Sequence, residues 1–219
     1  IVHCSTPEAI DIINYYQDKS VKATAETGPQ YLILDEETLK EKGVFAVCAP
    51  PLRSKESNKK MWDRILKGNI YNLGSDHAPY TAEEKMEGKD NIFNTPTGMP
   101  GIQTMVPVFF SEAVLKRNLS INNFVKLVSS NTAKLFGLYP NKGTLQIGAD
   151  ADLIIFDKSK KWTVKGTDSF SKIDWTPYED VKVTGNVDAT FVRGTKVYED
   201  RKIHVGAGYG KFIRKDYKG

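Results

Sequence analysis

Cysteine, histidine and long apolar runs are all scarce in these 219 residues. Two cysteines, Cys4 and Cys48, are too few for a disulfide framework or for a zinc cluster built of cysteine alone. Apolar stretches such as Val106 to Phe110 fall far short of the roughly 20 residues a membrane-crossing helix needs, so no membrane partner is expected. No sign of charge dominates: 31 Lys+Arg stand against 27 Asp+Glu, and the basic residues are interspersed, with no arginine-rich stripe. That weighs against nucleic acid as a partner. No signal-peptide pattern opens the chain, which points to a reducing cytoplasm. There is no internal repeat and no low-complexity segment. An initiator methionine is also missing: the chain opens Ile1-Val2-His3-Cys4 as if inside a strand, and it reads as the later part of a longer polypeptide. What is present, 40% hydrophobic and 26% charged residues, is an ordinary globular composition, too apolar for a disordered chain.

Short strands alternate with amphipathic helices in the first 139 residues, the pattern of parallel βα units. Ser5 or Thr6 can cap a helix to about Asp18, with Pro7 in its first turn and Glu8 at capping-box spacing from Ser5. Val21 to Glu26 reads as a buried strand, Phe45 to Ala49 as extended, and Ser57 as the cap of a helix carrying Met61, Trp62, Ile65 and Leu66 that stops at Gly68. Ile70 to Gly74 is the next strand. A polar stretch, Tyr80 to Thr97, leads through Gly98-Met99-Pro100-Gly101 into a helix with Met105, Phe109 and Phe110. Ser120 caps another helix, and Asn131 a short one ending at Gly137. Beyond about Tyr139 the pattern turns to β: Leu153 to Phe156 is an apolar run, Val187, Ala189 and Phe191 alternate, and Arg193-Gly194-Thr195 reads as a hairpin turn. The domain boundary is therefore placed at 139/140.

Few residues qualify for chemistry. His3 ends a strand just before a helix cap, the position where βα barrels build their active sites; a strand-end histidine with a satisfied ring is the plain alternative. Asp76 follows the strand Ile70 to Gly74 in Ser75-Asp76-His77-Ala78-Pro79. A carboxylate there is costly to bury without a metal or a basic partner, although Asp also commonly caps turns. Together they offer an imidazole and a carboxylate, ligand types that zinc accepts, but a catalytic zinc needs about three protein ligands. His204 reads as a surface or interface residue, and Cys4 as a small buried hydrophobe. Gly206, Gly208 and Gly210 precede no helix, which makes a phosphate loop a poor reading. The basic tail from Lys211 to Lys218 reads as a solvated or subunit-contacting end.

The ordered set Glu26-Thr27-Gly28-Pro29-Gln30-Tyr31-Leu32, Ala49-Pro50-Pro51-Leu52-Arg53, Ser75-Asp76-His77-Ala78-Pro79, Lys142-Gly143-Thr144, Gly148-Ala149-Asp150-Ala151-Asp152-Leu153 and Gly208-Tyr209-Gly210-Lys211 resembles the cyclic-amide hydrolases of the amidohydrolase superfamily, the hydantoinases and dihydropyrimidinases. Each motif is weak alone, but the resemblance covers nearly the whole chain in order. It implies an α/β fold: residues 1–139 as the last part of a (β/α)8 TIM-type barrel, residues 140–219 as part of a small β-sandwich and the C-terminal tail. It implies two divalent metal ions, zinc being the expected one, in the complete enzyme, with His3 and Asp76 as metal ligands and Asp76 also catalytic. An HxH pair, a carbamylated lysine and another histidine of the family have no counterpart here, so this chain by itself is expected to lack the two-metal site and its activity. Substrate-binding backbone is implied at Ala49 and Thr97, where relatives often carry Ser and Asn. Gly28, where many relatives carry Cys, is a packing departure. The implied partners are a small cyclic amide and, for the complete protein, further copies in a homo-oligomer, a tetramer. Allantoinase is the runner-up reading, on Ala78-Pro79-Tyr80 and the helix from Thr104. A non-catalytic dihydropyrimidinase-like scaffold is the alternative from another class, against which the retention of both His3 and Asp76 argues.

Overall fold

Three extended segments lie side by side in the first part of the computed structural model, which describes residues 1–214. Residues 1–4 run beside 24–26: the Glu26 N–H donates to the Ile1 carbonyl at 2.9 Å, and the Cys4 N–H donates to the Glu26 carbonyl at 2.8 Å. Strand β1 (Glu26–Thr27) then pairs in parallel with β2 (Asn72–Leu73). Parallel neighbours require long crossovers. Helix α1 (Pro7–Gln17) makes the first, and α2 (Gln30–Ile33), α3 (Glu36–Lys42) and α4 (Lys55–Leu66) lie in the second. After β2 come α5 (Ala82–Met86), α6 (Met105–Phe110, prolonged by a wide π turn over Ser111–Leu115), α7 (Ile121–Val125) and α8 (Asn131–Leu135).

Ile10 and Ile13 of α1 and Met61, Trp62 and Ile65 of α4 face a common core with Leu73, Phe109 and Phe124. Aromatic rings chain this core together. Trp62 stacks on Phe109 at 5.8 Å between centroids, Phe109 on Phe124 at 5.6 Å, and Phe124 meets Phe110 edge-on at 5.5 Å. Such pairs add to plain burial by holding ring geometry. Phe110 then tilts against Phe156 at 4.7 Å and so reaches the β portion.

That portion is one antiparallel sheet in the order β3 (Leu153–Thr163), β4 (Lys182–Val192), β5 (Thr195–Glu199), β6 (Lys202–Ile203). Arg193 and Gly194, with φ of 49° and 76°, form the two-residue turn between β4 and β5 that the sequence foreshadows. Gly185 in β4 has φ 106°, and a Cβ there would meet Phe110 at 2.7 Å and Phe156 at 2.8 Å. Only glycine lets those rings lie on the strand. A second core joins Val164, Tyr178 and Val183 from this portion to Tyr31, Leu34, Cys48, Met99 and Val108.

Several local expectations are corrected. Regular pairing is confined to Glu26–Thr27; Val21 and Lys22, expected in a buried strand, are exposed. Thr6 caps α1, its hydroxyl accepting from the Ala9 N–H at 3.3 Å, whereas Ser5 is buried and accepts from Arg53 Nε and Nη2 at 3.2 Å. Helix α4 is capped by Ser54, not Ser57: the Ser54 hydroxyl accepts from the Ser57 N–H at 3.3 Å. Gly43–Ala46 coils into a 3₁₀ turn, and the chain extends only from Val47. Asn131 caps nothing, because α7, capped by Ser120, runs through a π turn (Lys126–Ser130) into α8. The Asn131 amide instead donates to the Tyr71 carbonyl at 2.7 Å. Of the basic tail, residues 211–214 are exposed, and 215–218 lie outside the described residues.

Candidate metal and substrate site

His3 and Asp76 both stand at the downstream ends of the parallel segments, and both take a left-handed backbone, φ 43° and 47°. A non-glycine residue there is strained, and such residues gather at functional sites. The two line one cavity of about 250 Å³ with Val2, Glu26, Gly28 and Gln30. Gln30 is buried and its Nε2 donates to Asp76 Oδ2 at 3.4 Å. It reaches there by lying across Gly28, where a Cβ would come within 2.3 Å of its Oε1. Gly28, expected from the resemblance to be a packing departure, therefore has a partner in the fold. Within the lining, Glu26 Oε2 accepts from Asn72 Nδ2 at 2.5 Å, and Thr27 Oγ1 donates to the Cys4 carbonyl at 2.7 Å.

Imidazole nitrogen and carboxylate oxygen are donors that zinc and other divalent cations accept. The donor chemistry of His3 and Asp76 and their shared cavity fit two members of a ligand set. Among the described residues, no group of three His, Cys, Asp or Glu is arranged to hold a metal ion.

Ala49 and Thr97 are exposed and do not line the His3–Asp76 cavity; they sit on two segments that touch each other. The Gly98 N–H donates to the Val47 carbonyl at 3.0 Å. Behind them, Tyr31 Oη donates to the Pro50 carbonyl at 3.0 Å and the Cys48 thiol to the same carbonyl at 3.2 Å. Burial pushes the Cys48 thiol up to about 11 and raises Tyr31 above the usual phenol range. Neither is poised as a nucleophile.

The histidine next to Asp76 has a structural task. His77 Nδ1 accepts from the Gly101 N–H at 3.1 Å and more weakly from Ile102 at 3.4 Å, so that nitrogen carries no proton. Burial lowers its pKa, in keeping with a neutral ring. His204 is exposed. Cys4 is buried, as its apolar neighbours suggest. Two residues escaped the sequence reading. Gln30 was visible only as part of a motif, with nothing local to mark it. Lys85 left a usable trace: Thr81 and Glu84 form a capping box that starts α5, the helix carrying it, inside the polar stretch from Tyr80 to Thr97.

Parallel strands joined by helices, with an imidazole and a carboxylate at their downstream ends, define the class, and the chain belongs to the amidohydrolase family, whose model matches residues 7–197. Within that family it is similar to enzymes of cyclic amides. It is 35% identical to the L-hydantoinase of Paenarthrobacter aurescens, covering 100% of this chain and 48% of the relative. It is 36% identical to the D-hydantoinase of Geobacillus stearothermophilus, covering 98% and 46%. An allantoinase of Bacillus licheniformis is 34% identical over 97% of this chain and 46% of its own length. Among solved structures, dihydropyrimidinase from Brevibacillus agri superposes with a TM-score of 0.94 at 33% identity, over 98% of this chain and 47% of that one. The chain thus spans about half the length of the curated relatives it matches. Among the described residues no helix is long and apolar enough to cross a membrane.

Proposed function

We propose that the whole protein to which this chain belongs is a metal-dependent hydrolase that opens the ring of a cyclic amide, a hydantoin or a dihydropyrimidine. The observation that carries this reading is the pair of strained strand-end residues, His3 and Asp76, lining one cavity in a chain similar to hydantoinases over its whole length. On this reading residues 1–139 are the last part of a (β/α)8 barrel and residues 140–219 part of a β-sandwich and the tail.

His3 and Asp76 would hold metal, with zinc the expected ion and two ions the expected number. Bound divalent cations lower the pKa of a coordinated water and polarise a carbonyl. The chain's own residues do the rest. The Asp76 carboxylate takes the proton from the attacking water and returns it to the departing ring nitrogen, which is a poor leaving group without it. Gln30, donating to Asp76 Oδ2, orients that carboxylate. The backbone at Ala49 and Thr97 holds the ring, so its selectivity rests on main-chain spacing more than on side chains. The reading further expects a cytoplasmic homotetramer.

Similarity to allantoinases at 34% identity favours one second reading, with allantoin as the ring. Turnover of hydantoin, dihydrouracil and allantoin by the full-length protein, before and after chelation, decides. Chelator-sensitive opening of hydantoin or dihydrouracil is expected. Activity on allantoin alone selects the second reading, and activity that survives complete metal removal overturns both.

A further inference from the structure

Among the described residues, Lys85 is the one lysine, arginine, aspartate or glutamate that is buried, with no exposed surface at all. It has no carboxylate partner within ion-pair distance among those residues, although an unpaired buried charge is strongly unfavourable. Its compensation is a tripod of main-chain oxygens. Nζ donates to the Pro96 carbonyl at 2.7 Å, the Gly98 carbonyl at 3.0 Å and the Val47 carbonyl at 3.1 Å. An ammonium has three N–H groups and no acceptor, so this set satisfies it. The Trp175 ring lies on its flank at 6.0 Å. Burial nevertheless lowers its pKa to about 8.

The three oxygens belong to the two segments read as ring-binding. Val47 lies two residues before Ala49, and Pro96 and Gly98 flank Thr97. Satisfying those buried oxygens is one role of the cation. A cation that gathers carbonyls from both segments does fix their relative position. Its side chain comes from α5, started by the capping box in which Thr81 Oγ1 accepts from the Glu84 N–H and Glu84 Oε2 accepts from the Thr81 N–H.

We propose that Lys85 is a positioning residue: its ammonium ties the main chain before Ala49 to the main chain on both sides of Thr97, and so sets the width of the ring-binding slot. This rests on the reading of Ala49 and Thr97 as substrate-binding backbone. Lys85 touches no substrate; its effect passes through the carbonyls it holds.

The test uses the full-length enzyme with its metal, and measures kcat and KM on five-membered hydantoin and six-membered dihydrouracil. The variants are Lys85→Met, which removes the tripod, and Lys85→Arg, which keeps the charge but presents a flat fork of donors. Both are expected to keep the wild-type circular dichroism. KM is expected to rise about tenfold or more while kcat stays within about threefold, and the preference between rings to shift about fivefold or more, the mark of altered binding geometry. Arg is expected to follow Met in ring preference. If Met does not fold, Arg carries the same comparison. Folded variants with unchanged KM and ring preference overturn the role of Lys85 and leave the hydrolase reading standing, as does failure of both variants to fold, which marks a purely structural lysine. A wild-type enzyme active on allantoin alone moves the KM comparison to that ring, and one inert toward all three rings overturns the ring-binding reading and this inference with it.

Discussion

His3 and Asp76 hold left-handed φ angles that L-residues adopt at a cost of about 1–3 kcal/mol each. That strain yields a prediction with two arms. Asp76→Gly relieves it, so in chelated protein it is expected to raise stability by up to about 1 kcal/mol, read from urea midpoints, while abolishing ring opening. A destabilised Asp76→Gly would show that the acceptor lost to Gln30 outweighs the strain relieved. Asp76→Asn keeps the shape but not the proton carrier, and is expected to lower kcat about 10²–10⁴-fold in the full-length enzyme. Gly185 is the opposite case: Gly185→Ala puts a methyl within 3 Å of Phe110 and Phe156 at φ 106° and is expected to cost about 2–3 kcal/mol by overpacking and backbone strain. At this scale the sequence was informative about His3 and Asp76, because a strand end before a helix cap is a local pattern. It was silent about Gln30, whose partner Asp76 is 46 residues away.

Helix α4 and the π turn after α6 show what elements add. The helix start at Ser54 predicts that Ser54→Ala costs about 1 kcal/mol, whereas Ser57→Ala, inside the helix, is nearly neutral; equal effects of both on thermal unfolding would count against this cap. The sequence reading put the cap at Ser57, and only the backbone turn at Ser54 decides that the Ser54 oxygen meets the orphan N–H. In the π turn, burial pushes the Glu112 carboxyl up, but Lys116 at 2.5 Å and Arg117 at 2.8 Å outweigh it and hold it below the usual carboxylate range. A carboxyl with a lowered folded pKa stabilises above its unfolded value, about 4.5, and loses that contribution as the pH falls through the lower folded value. Glu112→Gln is therefore expected to be about 1–3 kcal/mol less stable than wild type at pH 7. That gap should close as the pH drops below about 4.5. A gap independent of pH would mean that packing, not charge, is what the substitution removes.

On the scale of the whole molecule, the β portion is not a separate appendage. Val164, Tyr178 and Val183 share a core with Tyr31, Leu34 and Val108, while Leu145 and Ile147 in the connection between the portions are exposed. Chymotryptic cleavage near Leu145 is accordingly expected to leave two pieces that co-elute on size exclusion until denaturant is added; separation under native conditions would refute the shared core. What the sequence by itself determined is what short-range physics encodes: the Met61, Trp62 and Ile65 face of α4 (though Leu66, read with it, is exposed), the Ser120 cap, the Arg193-Gly194 turn, the alternation of strands and helices, and the ordered motifs that mark an amidohydrolase. Only the tertiary structure decided that His3 and Asp76 share one cavity, that Gln30 lies over Gly28 to reach Asp76, and that Lys85 sits buried under three carbonyls. Periodicity and capping act within a few residues along the chain. A contact between residues 38 or 46 positions apart, such as Lys85 with Val47 or Asp76 with Gln30, depends on the path of every element between them.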